Sequence, residues 1–107
     1  MTIREAQQAA WDNAEAKGWH DEPRSLGDEI ALAHSELSEA LEAYRERGMD
    51  AWYRHDGKPE GVAYELADVV IRIMDTCGSR GIDLQRAVEE KMRFNATRSY
   101  RHEGKRL

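Results

Sequence analysis

The sequence predicts an all-α fold, and three observations support this. Apolar residues recur every three or four positions through four segments, the spacing that places them on one face of a helix. Residues that favour helix starts, Thr2, Ser25 and Asp83, precede three of these segments. No stretch alternates strictly between apolar and polar residues, as a half-buried strand would. With 107 residues the chain suffices for one domain, so we expect a single helical domain over 1–107.

The first two helices are delimited by capping signals. The first is predicted from Thr2 to about Lys17, because Thr2 and Glu5 have the spacing of a capping box and a glycine follows the segment. The second is predicted to begin after Ser25 and to end near Arg47, where another glycine follows. The segment between the second and third helices reads as a polar connection.

The third helix is predicted from Pro59, which suits a first turn, to about Arg80. Projected at 100° per residue, it is apolar over most of its circumference. A helix of that kind is buried on more than one side, so we expect a partner subunit to cover part of it. The only clearly polar strip of this helix holds Glu65, Asp68, Arg72 and Asp75.

The fourth helix is predicted from Leu84 to about Arg98, with Asp83 as its cap. A basic tail follows from about residue 99. Three polar residues of this helix, Lys91, Asn95 and Arg98, lie at i, i+4 and i+7 and therefore share one face. They are candidates for binding phosphate, and the alternative is ordinary surface charge near a helix C-terminus.

Composition excludes several classes of function. The net charge of −5 argues against general nucleic-acid binding, which needs a basic surface. No apolar run reaches the ~20 residues of a membrane span, and the polar start lacks the pattern of a signal peptide. The single cysteine, Cys77, excludes an intrachain disulfide and suits a reducing compartment. We therefore expect a cytoplasmic protein.

Two pairs of carboxylates interrupt apolar helix segments. Glu36 and Glu39 lie three residues apart on the second helix, and Glu65 and Asp68 have the same spacing on the third. If the two helices pack together, the pairs form one four-carboxylate cluster, which suits Mg²⁺, with Mn²⁺ as the alternative. Without a cation these carboxylates would repel one another and raise one another's pKa. The competing interpretation is solvated charge on amphipathic helices.

Other site chemistries are excluded by spacing. No histidine follows a glutamate by three residues, so the Glu-x-x-His motif of di-iron bundles is absent. One cysteine cannot supply a Cys/His zinc site, and no glycine-rich phosphate loop is present. Trp11 could stack on a nucleotide base, although a tryptophan on a helix is more often part of the core.

These motifs together resemble those of the MazG-like all-α nucleoside triphosphate pyrophosphohydrolases. The resemblance rests on Glu36-x-x-Glu39, on Glu65-x-x-Asp68, and on Lys91-x-x-x-Asn95-x-x-Arg98. It covers nearly the whole chain. It implies a four-helix MazG-like bundle that is completed by dimerisation, as a homodimer or a homotetramer.

The resemblance also implies a reaction and roles for the residues. The four carboxylates would bind Mg²⁺, which orients a nucleoside triphosphate and a water for hydrolysis between the α- and β-phosphates. The products would be a nucleoside monophosphate and pyrophosphate. Glu39 is the candidate general base. The set on the fourth helix and Trp11 would contact the substrate. The alternative function is a non-catalytic helical interaction module with solvated acidic faces.

Overall fold

A computed structural model describes residues 1–98, and its four helices lie close to their predicted positions. The chain is mostly helical, which confirms that part of the predicted fold class. The basic tail predicted from about residue 99 lies outside the described residues. In chain order the elements are α1 (Ile3–Ala16), α2 (Leu26–Arg47), β1 (Tyr53–His55), β2 (Lys58–Glu60), α3 (Val62–Ser79) and α4 (Leu84–Thr97).

The predicted caps form the starts of three helices. The Glu5 N–H donates to Thr2 Oγ1 at 3.1 Å, and the Thr2 N–H donates to the Glu5 carboxylate at 2.8 Å, which completes the capping box of α1. The Ser25 hydroxyl accepts from the Asp28 N–H at 3.0 Å. The Asp83 carboxylate caps α4 in the same way. Short-range hydrogen bonds of this kind depend on neighbouring residues only, so the sequence predicts them well.

The connection before α3 is a β-hairpin, which corrects two predictions. The chain was expected to have no strands, and Pro59 was expected in the first turn of the third helix. Instead, Pro59 lies in β2 opposite Arg54, and α3 begins at Val62. Asp56 and Gly57 both have positive φ, as a tight hairpin turn requires. Strands of three residues are too short to show alternation, and an edge strand tolerates proline.

The third helix is the centre of the fold. α3 packs against both α1 and α2, whereas the main contact of α4 is with α1. A Cβ added to Gly78 of α3 would lie only 3.1 Å from the Trp11 Cβ, so the missing side chain allows α1 to approach closely. Among residues 1–98, the buried apolar residues are small or compact ones, Ala14, Ala40 and Cys77.

Many larger apolar side chains remain half exposed along α2 and α3. They border an open groove of about 500 Å³, which we call the apolar groove. Apart from polar His34 and Ser38 and buried Ala40, its lining residues are Leu37, Leu41, Tyr44, Val62 and Leu66. Leu37, Leu41 and Tyr44 recur at helical spacing along α2, and within one described chain each is about half exposed, at 53%, 50% and 49%. None of the helices among residues 1–98 is both long and apolar enough to cross a bilayer.

Asp75 belongs to the core, although the sequence placed it on a polar strip of the third helix. It is only 4% exposed, and both its carboxylate oxygens lie within 3.0 Å of His20 Nε2. The other ring nitrogen of His20 lies 2.7 Å from Glu15. The long-range partner, 55 residues away in the chain, makes this burial possible, and no helical projection could reveal it.

Candidate metal centre

Packing of α2 on α3 brings three of the predicted ligands together. One carboxylate oxygen from each of Glu36, Glu65 and Asp68 lies within 4.8 Å of the other two. Glu36 and Glu65 are partly buried, and Asp68 is exposed. We call these three residues the carboxylate cluster. The predicted convergence of the second and third helices is therefore observed for three of the four carboxylates.

Helix geometry explains why the cluster forms at this point. Glu65 lies in the first turn of α3, where the helix dipole favours a negative charge. Asp68 follows one turn later on the same face. Glu36 lies in the middle of α2, and the helix–helix contact places it opposite that face. The segment that leads into the hairpin is bonded to the first turn of α3, since the Ala63 N–H donates to the Ala51 carbonyl at 3.3 Å.

The pKa values of two of the three clustered carboxylates are raised. Burial is the largest cause of the raised pKa of Glu65, and the charges of Asp68, Glu39 and Glu36 raise it further. The pKa of Asp68 is also raised, first by burial and then by the charge of Glu36. Both effects disfavour the charged carboxylate, and a bound cation would reverse them.

Glu39 lies beside the cluster but outside it. Its side chain is exposed, and it is not among the three residues whose oxygens converge. Its charge nevertheless raises the pKa of Glu65, so the two carboxylates lie within electrostatic range. Glu36 and Glu39 lie only about 60° apart around α2, as Glu65 and Asp68 do around α3, so the rotation of α2 against α3 decides that Glu36 converges with the other two and Glu39 does not.

Two basic residues that the sequence did not single out as site residues act on the cluster. Arg72 donates to Glu36 with a separation of 3.2 Å, and its charge lowers the pKa of Asp68. Lys58 of β2 lowers the pKa of both Glu65 and Asp68. Arg72 could have been found from its position one turn after Asp68. Lys58 could not, because the hairpin that carries it was not predicted.

The predicted phosphate-binding set lies on a different part of the chain. Lys91, Asn95 and Arg98 are exposed on or just after α4, whose main contact is with α1 rather than with the helices of the cluster. The Lys91 ammonium and the Arg98 guanidinium lie 5.6 and 5.7 Å from the centre of the Phe94 ring. Lys91 and Arg98 therefore both lie near Phe94, and the role of the three residues in binding phosphate stays a prediction.

Trp11 contributes to the packing between helices. It contacts Gly78 of α3, and its ring centre lies 6.1 Å from that of His20. These contacts fit the core interpretation of this tryptophan, and its role in binding a base stays a prediction. Trp19, in the loop between α1 and α2, lies closer to the site, because the Arg72 guanidinium is 5.8 Å from the centre of its ring.

The donor set of the cluster fits a hard divalent cation. Mg²⁺ and Mn²⁺ prefer carboxylate oxygens and keep several waters when one or two carboxylates bind them. No histidine or cysteine belongs to the cluster, so softer metals are less well matched. Comparison with known proteins adds nothing to this assignment, because no family model, curated protein or solved structure matches the chain.

Proposed function

We propose that this chain is a Mg²⁺-dependent nucleoside triphosphate pyrophosphohydrolase that forms a nucleoside monophosphate and pyrophosphate. The observation that carries the proposal is the convergence of Glu36, Glu65 and Asp68 across the contact between α2 and α3. These residues belong to two of the three motifs on which the resemblance to MazG-like enzymes rests. The raised pKa values of Glu65 and Asp68 support it further, because a cation would relieve the repulsion that contributes to them.

Each acidic residue has a role in this proposal. Glu36, Glu65 and Asp68 hold the metal through carboxylate oxygens. When bound, Mg²⁺ polarises the phosphoryl oxygens and offsets the negative charge of the triphosphate. Glu39 is exposed beside the cluster, and it accepts a proton from the attacking water as general base. The bond between the α- and β-phosphates breaks, and pyrophosphate leaves.

Contacts to the substrate come from the basic face of α4 and from Trp11. Lys91 and Arg98 contribute charge that steadies the phosphates, and Asn95 contributes hydrogen bonds. Because α4 packs mainly on α1, a second subunit is one means of bringing this face to a cluster on α2 and α3.

The protein acts as a homodimer or a homotetramer in this proposal. The half-exposed side chains of the apolar groove support self-association, because large exposed apolar patches mark interfaces. A second copy would bury the same surface in an interface with twofold symmetry. The buried free thiol of Cys77 suits a cytoplasmic location.

A panel of nucleoside triphosphates tests the activity. The purified chain is incubated with each nucleotide and Mg²⁺, and pyrophosphate release is measured. We expect turnover of at least one nucleotide, loss of turnover when the metal is chelated, and a loss of roughly a hundred-fold or more in Glu65→Gln. Glu42→Gln is the matched control, since Glu42 is an exposed acid of α2 that pairs with Arg45 at 3.7 Å. Full activity in Glu65→Gln would contradict the proposal.

A non-catalytic helical interaction module is the second candidate. The apolar groove favours it, because the same surface could receive a helix of another protein. The two functions differ in a simple outcome. A module would release no pyrophosphate from any nucleotide and would bind no divalent cation, whereas the enzyme would release pyrophosphate and bind the cation. In a module, Glu65→Gln would leave the folding and the helix content unaffected.

A further inference from the structure

Arg72 of α3 contacts one member of the carboxylate cluster, Glu36 of α2. Its Nη2 donates to Glu36 Oε1 with a separation of 3.2 Å, and both side chains are 21% exposed. The pair joins α3 to α2, 36 residues apart in sequence. A pair that is shielded to this extent is screened less by salt than the exposed pairs on the surface of the chain.

A second contact also restrains the Arg72 guanidinium. Its central carbon lies 5.8 Å from the centre of the Trp19 ring, within the range of a cation–π interaction. The loop that carries Trp19 is itself fixed, since the Trp19 N–H donates to the Ala14 carbonyl at 3.0 Å. His20, the next residue, is bonded to the buried Asp75. The position of Arg72 is therefore set by α2, by this loop and by its own helix.

We propose that Arg72 is the resident counter-ion of the carboxylate cluster and that it lowers the affinity of the cluster for divalent cations by pairing with Glu36. The inference rests on the proposed function and specifies how metal loading is controlled. Arginine has no acceptor atom and keeps its charge at every physiological pH, so it cannot become a ligand. It competes with the metal for an oxygen of Glu36 and repels the incoming ion.

Two effects of Arg72 oppose each other, and their balance sets the sign. The hydrogen bond orders the Glu36 side chain, which favours metal binding. The positive charge repels a cation that carries twice the charge of a guanidinium, which disfavours binding. Glu36 lies in the interior of the 22-residue helix α2, so its backbone is placed without help from Arg72. Repulsion is therefore the larger effect.

A cluster of low intrinsic affinity would load its metal together with the substrate. The phosphates of a nucleotide supply further oxygen ligands, so a metal–nucleotide complex binds where the free ion binds weakly. By weakening the binding of the free ion, Arg72 thus favours binding of the metal together with the nucleotide over permanent binding of the metal alone.

Titration of metal-free protein with Mn²⁺ in the absence of nucleotide tests the inference. Isothermal titration calorimetry is applied to the wild type, Arg72→Gln, Arg72→Met and Arg72→Lys. We expect the two neutral variants to bind Mn²⁺ roughly three- to ten-fold more tightly, and the lysine variant to stay within about two-fold of the wild type. The matched control is Arg45→Gln, which removes one exposed positive charge from α2 and should also change affinity by less than about two-fold.

The outcomes separate this inference from the proposed function. Equal or weaker Mn²⁺ binding in the neutral variants, in a wild type that hydrolyses nucleotides, overturns the role of Arg72 and leaves the activity in place. A wild type that binds no Mn²⁺ and hydrolyses no nucleotide overturns both. Circular dichroism identifies which neutral variant retains the helical fold, and two such variants are used so that the comparison does not depend on one substitution.

Discussion

At the scale of single residues, His20 shows how one side chain couples stability to pH. Its two ring nitrogens lie 2.7 Å from Glu15 and 2.9 Å from Asp75, and both contacts are carboxylate oxygens. Only the imidazolium form can donate to both, because neutral imidazole has a single N–H. Trp11 packs near the ring. The pKa of His20 is raised, mainly by the hydrogen bond to Glu15 and further by Asp75, although burial opposes the shift.

We predict that the protein loses stability as pH rises above about 6.5. The pKa of His20 is raised in the folded chain, so its contribution is complete below the ordinary value of about 6.5 and is lost as pH passes the folded value. His20→Gln should cost about 1.5–3 kcal/mol near pH 6, because Asp75 loses its charged partner, and should flatten the pH dependence in this range. Thermal unfolding followed by circular dichroism measures both.

His55→Gln is the control for this prediction, since it removes an exposed histidine from β1, outside the apolar groove. It should leave the slope of melting temperature against pH unchanged. A His20→Gln variant that keeps the wild-type slope would show that His20 is not the group responsible.

A further prediction concerns how Mg²⁺ stabilises the fold. The pKa values of Glu65 and Asp68 are raised in the folded chain, so their ionisation weakens the metal-free fold as pH rises through them. Saturating Mg²⁺ should remove this loss, so the rise in melting temperature on adding Mg²⁺ should be larger at about pH 7.5 than at about pH 5. An equal rise at both pH values, or none in the wild type, would contradict the prediction.

At the scale of elements, the contact between α1 and α3 depends on a glycine inside a helix. A Cβ at Gly78 would meet Trp11 atoms at 3.1 to 3.3 Å. Gly78 is the next-to-last residue of α3, so the cost of about 1 kcal/mol that glycine carries in a helix interior applies only in part, and close packing with Trp11 offsets it. The tryptophan therefore serves as a structural contact whether or not it also touches a substrate.

We predict that Gly78→Val destabilises the chain by about 1–3 kcal/mol, because a branched side chain would push α1 away from α3. Gly27→Ala is the matched control. Its added Cβ would meet only the Ser25 hydroxyl, at an ordinary 3.7 Å, so a gain of about 0.5 kcal/mol is expected. Urea denaturation gives both free energies of unfolding. If Gly78→Val kept the free energy of unfolding of the wild type, α1 would be able to move away from α3 without loss of stability, which would contradict the prediction.

At the scale of the whole molecule, one described chain leaves a long apolar surface only half covered. The groove along α2 and α3 contains Leu41 and Leu66, which are 50% and 46% exposed. Among residues 1–98, α1 packs on α3 and α4 packs mainly on α1, and neither helix lines the groove. Association with a second copy would bury it without any new element.

We predict that Leu41→Glu shifts the protein from a dimer towards a 12.3 kDa monomer, because a charge would be buried in the interface. Light scattering coupled to gel filtration at micromolar concentration measures the mass. Met92→Glu is the control, since Met92 is 67% exposed on α4 and lies outside the groove. A wild type that is strictly monomeric and fully active would contradict the proposed assembly.

The sequence alone determined the features that depend on near neighbours. The starts of α1, α2 and α4 follow from Thr2, Ser25 and Asp83, whose side chains bond to backbone groups three residues away. The spacing of Glu65 and Asp68 on one face follows from the pitch of the helix. The short hairpin escaped prediction, because its turn signal, Asp56-Gly57, lies between strands too short to form a pattern.

Only the tertiary structure decided which side chains meet across helices. It placed Glu36 inside the carboxylate cluster and left Glu39 beside it, although the two share one motif. It also paired Arg72 with Glu36 and buried Asp75 against His20. These outcomes depend on how each helix is rotated about its axis when it packs. That rotation is set by contacts between residues far apart in the chain, such as Trp11 with Gly78, which no local pattern encodes.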